Sequence, residues 1–226
     1  MPKRALNEKR PFLLASIAAA IAYYWFRDAA IPEMFLVALK GSAVALLAVY
    51  AYLRHSHPDA RLLVWVMGLA ALGDIAIEYD FTIGGMFFFL AHIFALSLFL
   101  RHRRDTLTSS QKGVAVALLV LTPLIAWTLP EDRAVAAGVA LYALTLGGMA
   151  ASAWASTFPP YRVGLGAVLF VVSDLLIFAE MGPLFGSPLT QAAIWPAYYV
   201  GQFLICTGVI QGLPKPPPGL RLASSR

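Results

Sequence analysis

The sequence predicts an all-α, polytopic membrane helix bundle with eight transmembrane helices, on three observations. The chain has 226 residues, 60% of them hydrophobic and only 13% charged, with a mean hydropathy of +0.73. Soluble domains are nearer half apolar and a quarter charged. The apolar residues gather into eight runs, most of about 17–23 residues, long enough at about 1.5 Å per residue to cross a hydrocarbon core. The breaks between runs carry turn chemistry and most of the charge.

The first run, residues 12–26, is the shortest and is expected to borrow length from its flanks. It lacks a small-residue cleavage site and is expected to remain as a helix. Arg27-Asp28 and Pro32 close it. Run 34–53 follows and holds Lys40, the only lysine inside a run. His57-Pro58-Asp59 separates it from run 62–79, which contains Asp74. Runs 83–100 and 113–129 come next, and Pro130-Glu131-Asp132 introduces run 134–156. Pro159-Pro160 introduces run 163–179 with Asp174, and Gly182-Pro183 precedes run 192–213. Pro123 and Pro196 fall inside runs and are expected to bend them, which neighbouring helices tolerate. Residues 1–213 are expected to form one transmembrane domain, and the Pro-rich stretch 214–226 a disordered cytoplasmic tail.

The net charge of +5 does not point to nucleic acid, because the basic residues sit in short breaks, as in loops facing anionic lipid. With eight spans both termini share a side. That side holds Lys3, Arg4, Lys9, Arg10, Arg54, Arg61, Arg101, Arg103, Arg104, Lys112, Arg162, Lys215, Arg221 and Arg226; the other holds Arg27 and Arg133. The positive-inside rule places both termini in the cytoplasm. A multi-pass protein of a bacterial plasma membrane is expected, with membrane lipids around it. Cys206 is the only cysteine, so no intramolecular disulfide forms.

Asp74 and Asp174 carry the most information about function. A carboxylate in a bilayer costs several kcal/mol unless it faces a partner, a proton or a water-filled cavity. Counted from the outer end of its run, each acid lies roughly 8 Å deep. On the same count Lys40 lies about 9 Å deep, Tyr142 about 12 Å, His92 about 13 Å and Gln202 about 15 Å, with Tyr198 and Tyr199 in the same layer. One polar slab in the outer half of the membrane results. Glu78 follows Asp74 by one turn. A weak internal duplication over four helices, a parallel repeat, aligns Gly73-Asp74 with Ser173-Asp174 and His92 with Gln202. The small residue before each acid permits close approach of another helix, and Ser173 can also donate to a carboxylate or to its own helix.

Two acids in one cavity suit general acid–base work, one protonated and one ionised. Lys40 is a candidate counter-ion or phosphate contact. Glu78, His92, Tyr142, Tyr198, Tyr199 and Gln202 are candidate substrate-binding groups. His55, His57 and His102 lie at the opposite rim, so no three-histidine metal site can include His92, and no metal is expected. Walker, GxSxG, HExxH and dinucleotide motifs are absent; Gly164-Leu165-Gly166 lacks a third glycine. The residues by themselves leave three readings open: a membrane hydrolase, a proton-coupled transporter of a lipid or small molecule using the same acids, and a helical scaffold.

Several segments carry a resemblance. LGDIAIE (72–78), FFLAH (88–92), LYALTLGGMAASA (141–153), LGAVLFVVSDLL (165–176) and YYVGQFLI (198–205) resemble the YhhN family, over residues 40–206. The family's lysine is often followed by proline, where Gly41 stands, and its histidine three residues before an aromatic, where Ala95 stands. The resemblance implies a multi-helix hydrolase of the vinyl-ether bond in lysoplasmalogens, a lysophospholipid substrate and no cofactor. It matches Asp74 and Asp174 to the two motif aspartates, and Lys40, His92, Tyr199 and Gln202 to further polar positions. The lysolipid is expected to slide in laterally from the outer side. Its headgroup would face Lys40 and the tyrosines, with Gln202 lining the cavity and the chain among Phe87, Phe88, Phe89 and Phe94.

Overall fold

Residues that break the apolar runs cap the helices that follow. The computed structural model describes residues 10–214, and all eight runs are helices: α1 (Arg10–Phe26), α2 (Glu33–Arg54), α3 (Pro58–Ala76), α4 (Phe81–Arg101), α5 (Ser109–Thr128), α6 (Arg133–Trp154), α7 (Leu165–Glu180) and α8 (Pro188–Gly212). The Asp80 carboxylate accepts from Ile83 N–H at the start of α4, and Asp132 from Ala134 N–H at the start of α6. Thr108 and Gln111 form a reciprocal capping box on α5. Each cap satisfies backbone donors that a helix start leaves orphaned. A π-helical turn, Pro160–Gly164, leads into α7. Six of these helices are long and apolar enough to cross a membrane, counting the turn with α7. The other two are α1, with 17 residues, and α3, which carries Asp59, Arg61 and Asp74.

The boundary expected for the third run needs correction. Pro58 at the first turn and the His57 cap start α3 four residues earlier than residue 62, and the chain turns after Ala76 to reach the Asp80 cap. Asp74 therefore stands two residues from the end of α3 and Asp174 six from the end of α7. Helix-end counting gives about 3 Å and about 9 Å rather than a common 8 Å. The first run gains Arg10 and Pro11, as its shortness required. The expected tail, from residue 215 on, and the basic residues Lys3, Arg4 and Lys9 lie outside the described residues.

Two rims follow from the interhelical contacts. Asp59 joins Arg101 and His102, the Arg104 N–H bonds Ala155, and Arg162 bonds Gln211, so the start of α3, the basic end of α4 and the turn before α7 share one rim. At the other, Arg27 donates to the Gln191 carbonyl and the Glu131 N–H to Met181. Among the spans α8 is the most enclosed, while α5 is peripheral and packs on α6 and α7.

Small residues set the closest helix contacts. A Cβ on Gly166 would sit 2.7 Å from the Gly201 carbonyl oxygen, and one on Gly201 the same distance from that of Gly166, so only glycines permit this α7–α8 crossing. A Cβ on Gly73 would lie 2.9 Å from the Phe88 ring, and the space beside Gly41 is filled by Ile75. Ser173 donates to the Ile194 carbonyl of α8 at 3.0 Å, rather than to a carboxylate or its own helix. Pro196 has no N–H for Ala192, whose carbonyl accepts instead from the Tyr24 hydroxyl at 3.3 Å. Leu47, Met67, Leu98, Phe99 and Phe158 fill the interior towards the basic rim.

Candidate active site

Asp74 and Asp174 are 2% and 5% exposed, and each is held by a tyrosine. The Tyr198 hydroxyl donates to Asp74 Oδ2 at 2.7 Å, and that of Tyr142 to Asp174 Oδ2 at 2.6 Å. A hydroxyl has one hydrogen, so each tyrosine oxygen is left to accept. His92 Nε2 lies 3.0 Å from Tyr142 Oη and 4.0 Å from Asp174. With the hydroxyl hydrogen committed to Asp174, that contact requires a proton on Nε2. Gln202 Nε2 approaches Tyr198 Oη at 3.5 Å, the long limit of a hydrogen bond. The pattern crosses over: α8 of the second half serves the acid on α3, while His92 on α4 serves the acid on α7 through Tyr142.

Aromatic edges fix these rings. Phe170 lies edge-on to His92 at 4.9 Å and to Tyr198 at 5.2 Å, and Phe88 meets Tyr198 at 5.7 Å. These contacts hold Tyr198 in the rotamer that reaches Asp74, and the Tyr142 ring is braced likewise by Phe178 at 5.7 Å.

Both aspartates line one cavity of about 600 Å³ at the rim opposite the basic one. Of the expected site residues, Lys40, Tyr142 and Tyr198 join them there. Glu78 is not on the cavity wall but forms a hydrogen-bonded ion pair with Lys40. His92 and Gln202 stand behind the tyrosines, so Gln202 does not line the cavity as expected. Tyr199 does not reach the site. Its hydroxyl donates to Ser16, whose own hydrogen goes to the Ala43 carbonyl, and its ring stacks on Trp195. Phe88 and Phe89 line the cavity, whereas Phe87 does not and Phe94 packs on Trp65.

The remaining wall is mostly apolar and runs between α4 and α6, past Gly85, Met86, Gly138 and Leu141. A Cβ on Gly85 or Gly138 would meet nothing within 4 Å, and Met86 and Leu141 are largely exposed. The cavity is thus open sideways as well as at the rim. Arg27 and Trp195 also line it, and neither stood among the expected site residues. Arg27 carried a signal: it is one of two basic residues on a side otherwise depleted of them.

The YhhN family model matches residues 35–209, a span that includes both acids, Lys40, Glu78, His92, Tyr142, Tyr198 and Gln202 but not Arg27. The chain belongs to the YhhN family. Two curated relatives are lysoplasmalogenases of Mycobacterium bovis and Mycobacterium tuberculosis, each 29% identical over 189 residues, which cover 79% of this chain and 72% of the relative. No solved structure matches. In this YhhN protein Asp74 and Asp174, 100 residues apart in sequence, converge on one cavity.

Proposed function

We propose that this protein is an integral-membrane hydrolase of lysoplasmalogen-type lysophospholipids, cleaving the vinyl ether to a fatty aldehyde and a glycerophospho-alcohol. The observation that carries this reading is the convergence of Asp74 and Asp174 on one mostly apolar cavity, in a chain whose curated relatives bear the name lysoplasmalogenase.

The chemistry asks for two carboxyl groups. A proton moves from the acid to the β-carbon of the vinyl ether, leaving an oxocarbenium ion at the carbon bonded to oxygen. Water adds there as the second carboxylate takes its proton, and the hemiacetal collapses to aldehyde and alcohol. The division of labour parallels that of glycosidase carboxylates. Tyr142 and Tyr198 hold the two acids in place by direct hydrogen bonds, and no step requires an organic cofactor. The lateral opening between α4 and α6 suits a chain arriving from the bilayer, with the ether beside the acids. By the positive-inside rule the basic rim faces the cytoplasm, so the cavity opens to the outer leaflet.

The interior towards the basic rim is packed with Leu47, Met67, Leu98 and Phe99, which favours an enzyme over a transporter. The test is incubation of purified protein with a panel of 1-alkenyl, 1-alkyl and 1-acyl lysolipids, followed by mass spectrometry. Aldehyde is expected from the 1-alkenyl lipids alone. Substrate-dependent proton flux in sealed proteoliposomes, with no aldehyde formed, would replace the hydrolase with the transporter.

A further inference from the structure

Among the described residues two cations line the cavity, and they are not equivalent. Lys40 is committed to Glu78 and sits 5.8 Å from the Tyr23 ring centroid, so its charge is balanced. Arg27 follows the end of α1 at the mouth. Its guanidinium lies 4.4 Å over the Tyr24 ring, and one Nη donates to the Gln191 carbonyl at the start of α8. Its one ion pair, Nε to Asp28 at 3.4 Å, is with a carboxylate that is 89% exposed, and pairs of that kind contribute little. A guanidinium has five N–H donors; among the described residues two are engaged, leaving three.

The acids of the cavity do not compete for this charge. Among the described residues Arg27 forms its ion pair with Asp28, and Asp74, Asp174 and Glu180 instead accept from Tyr198, Tyr142 and Thr190. The ring below and the carbonyl beside it hold the guanidinium at the rim, which lowers the entropy cost of receiving a ligand. A planar fork of N–H donors matches two oxygens of a phosphate better than an ammonium does.

We propose that Arg27 is the phosphate-recognition residue of this cavity. It receives the phosphodiester of a lysolipid headgroup at the mouth while the ether-linked chain extends past the aspartates to the opening between α4 and α6. The assignment rests on the lysolipid reading above. It gives the phosphate contact to Arg27 rather than to Lys40.

The test separates recognition from turnover. A 1-alkyl lysophosphatidylethanolamine has no vinyl ether to cleave, and a 1-alkylglycerol lacks the phosphate as well. Binding of both to the full-length protein is measured by the fluorescence of Trp195, which lines the cavity, with Trp195→Phe as the control for the other tryptophans. Wild type is expected to bind the phospholipid at least tenfold tighter than the alkylglycerol. R27Q should lose that preference and leave alkylglycerol binding unchanged, and R27K should keep part of it. In turnover of the 1-alkenyl phospholipid, R27Q is expected to raise KM about tenfold with kcat within threefold of wild type. Equal binding of the two lipids by wild type, or an R27Q that keeps the preference, overturns the assignment. A phosphate preference that R27Q loses, in a protein that releases no aldehyde, upholds Arg27 and removes only the hydrolase reading.

Discussion

Replacing Tyr142 with phenylalanine removes one oxygen and both hydrogen bonds that it makes. Asp174 Oδ2 loses a donor at 2.6 Å, and His92 Nε2 loses its partner at 3.0 Å, while the ring still packs against Phe178. A hydrogen bond to a charged group contributes about 1.5–3 kcal/mol. If about 2 kcal/mol of this acts on the transition state, kcat falls about thirtyfold. Tyr198→Phe should behave alike, because that hydroxyl donates to Asp74. Tyr199→Phe is the contrast: it removes a bond to Ser16 away from the cavity, costing about 1 kcal/mol of stability and leaving kcat within twofold. The assay is aldehyde release by purified variants in detergent, with thermal unfolding alongside. A Tyr142→Phe variant within twofold of wild type, or a Tyr199→Phe variant as impaired as Tyr142→Phe, would refute the positioning argument.

Three further outcomes are expected. Gly201→Leu forces the α7–α8 crossing apart against the Gly166 carbonyl and should destabilise the protein by about 1–3 kcal/mol, read as a lower unfolding temperature; Gly138→Leu, facing open space, should not. Gly138→Leu should instead narrow the lateral opening and lower turnover of long-chain substrates more than short-chain ones in competition assays. Lys40→Met and Glu78→Gln should each impair activity, and the double variant should lose less than the sum of the two, with a coupling of about 0.5–3 kcal/mol in a double-mutant cycle.

The eight runs of apolar residues, the turn residues between them and the two aspartates were legible because each is a property of one segment. Boundaries slipped where a cap outranked hydropathy: Pro58 and His57 begin α3 before its apolar run begins. The partners of the acids were legible in depth and not in direction. Tyr198 and Tyr199 are neighbours on α8, about 100° apart around a helix of 3.6 residues per turn, so one bonds Asp74 and the other bonds Ser16. The same limit placed Gln202 in the cavity, whereas its amide sits behind Tyr198. Phe170 gave no signal at all, being one apolar residue within an apolar run, yet it braces both His92 and Tyr198.

The central claim is that Asp74 and Asp174 act together on one bond, and the most direct measurement is the rate of aldehyde release by Asp74→Asn and Asp174→Asn beside wild type. Asparagine keeps the shape and can still accept from the tyrosine hydroxyl, so both variants should remain folded, with unfolding temperatures near that of wild type. Both should release no aldehyde above background from a 1-alkenyl lysophospholipid. Full activity in either folded variant would contradict the two-acid account.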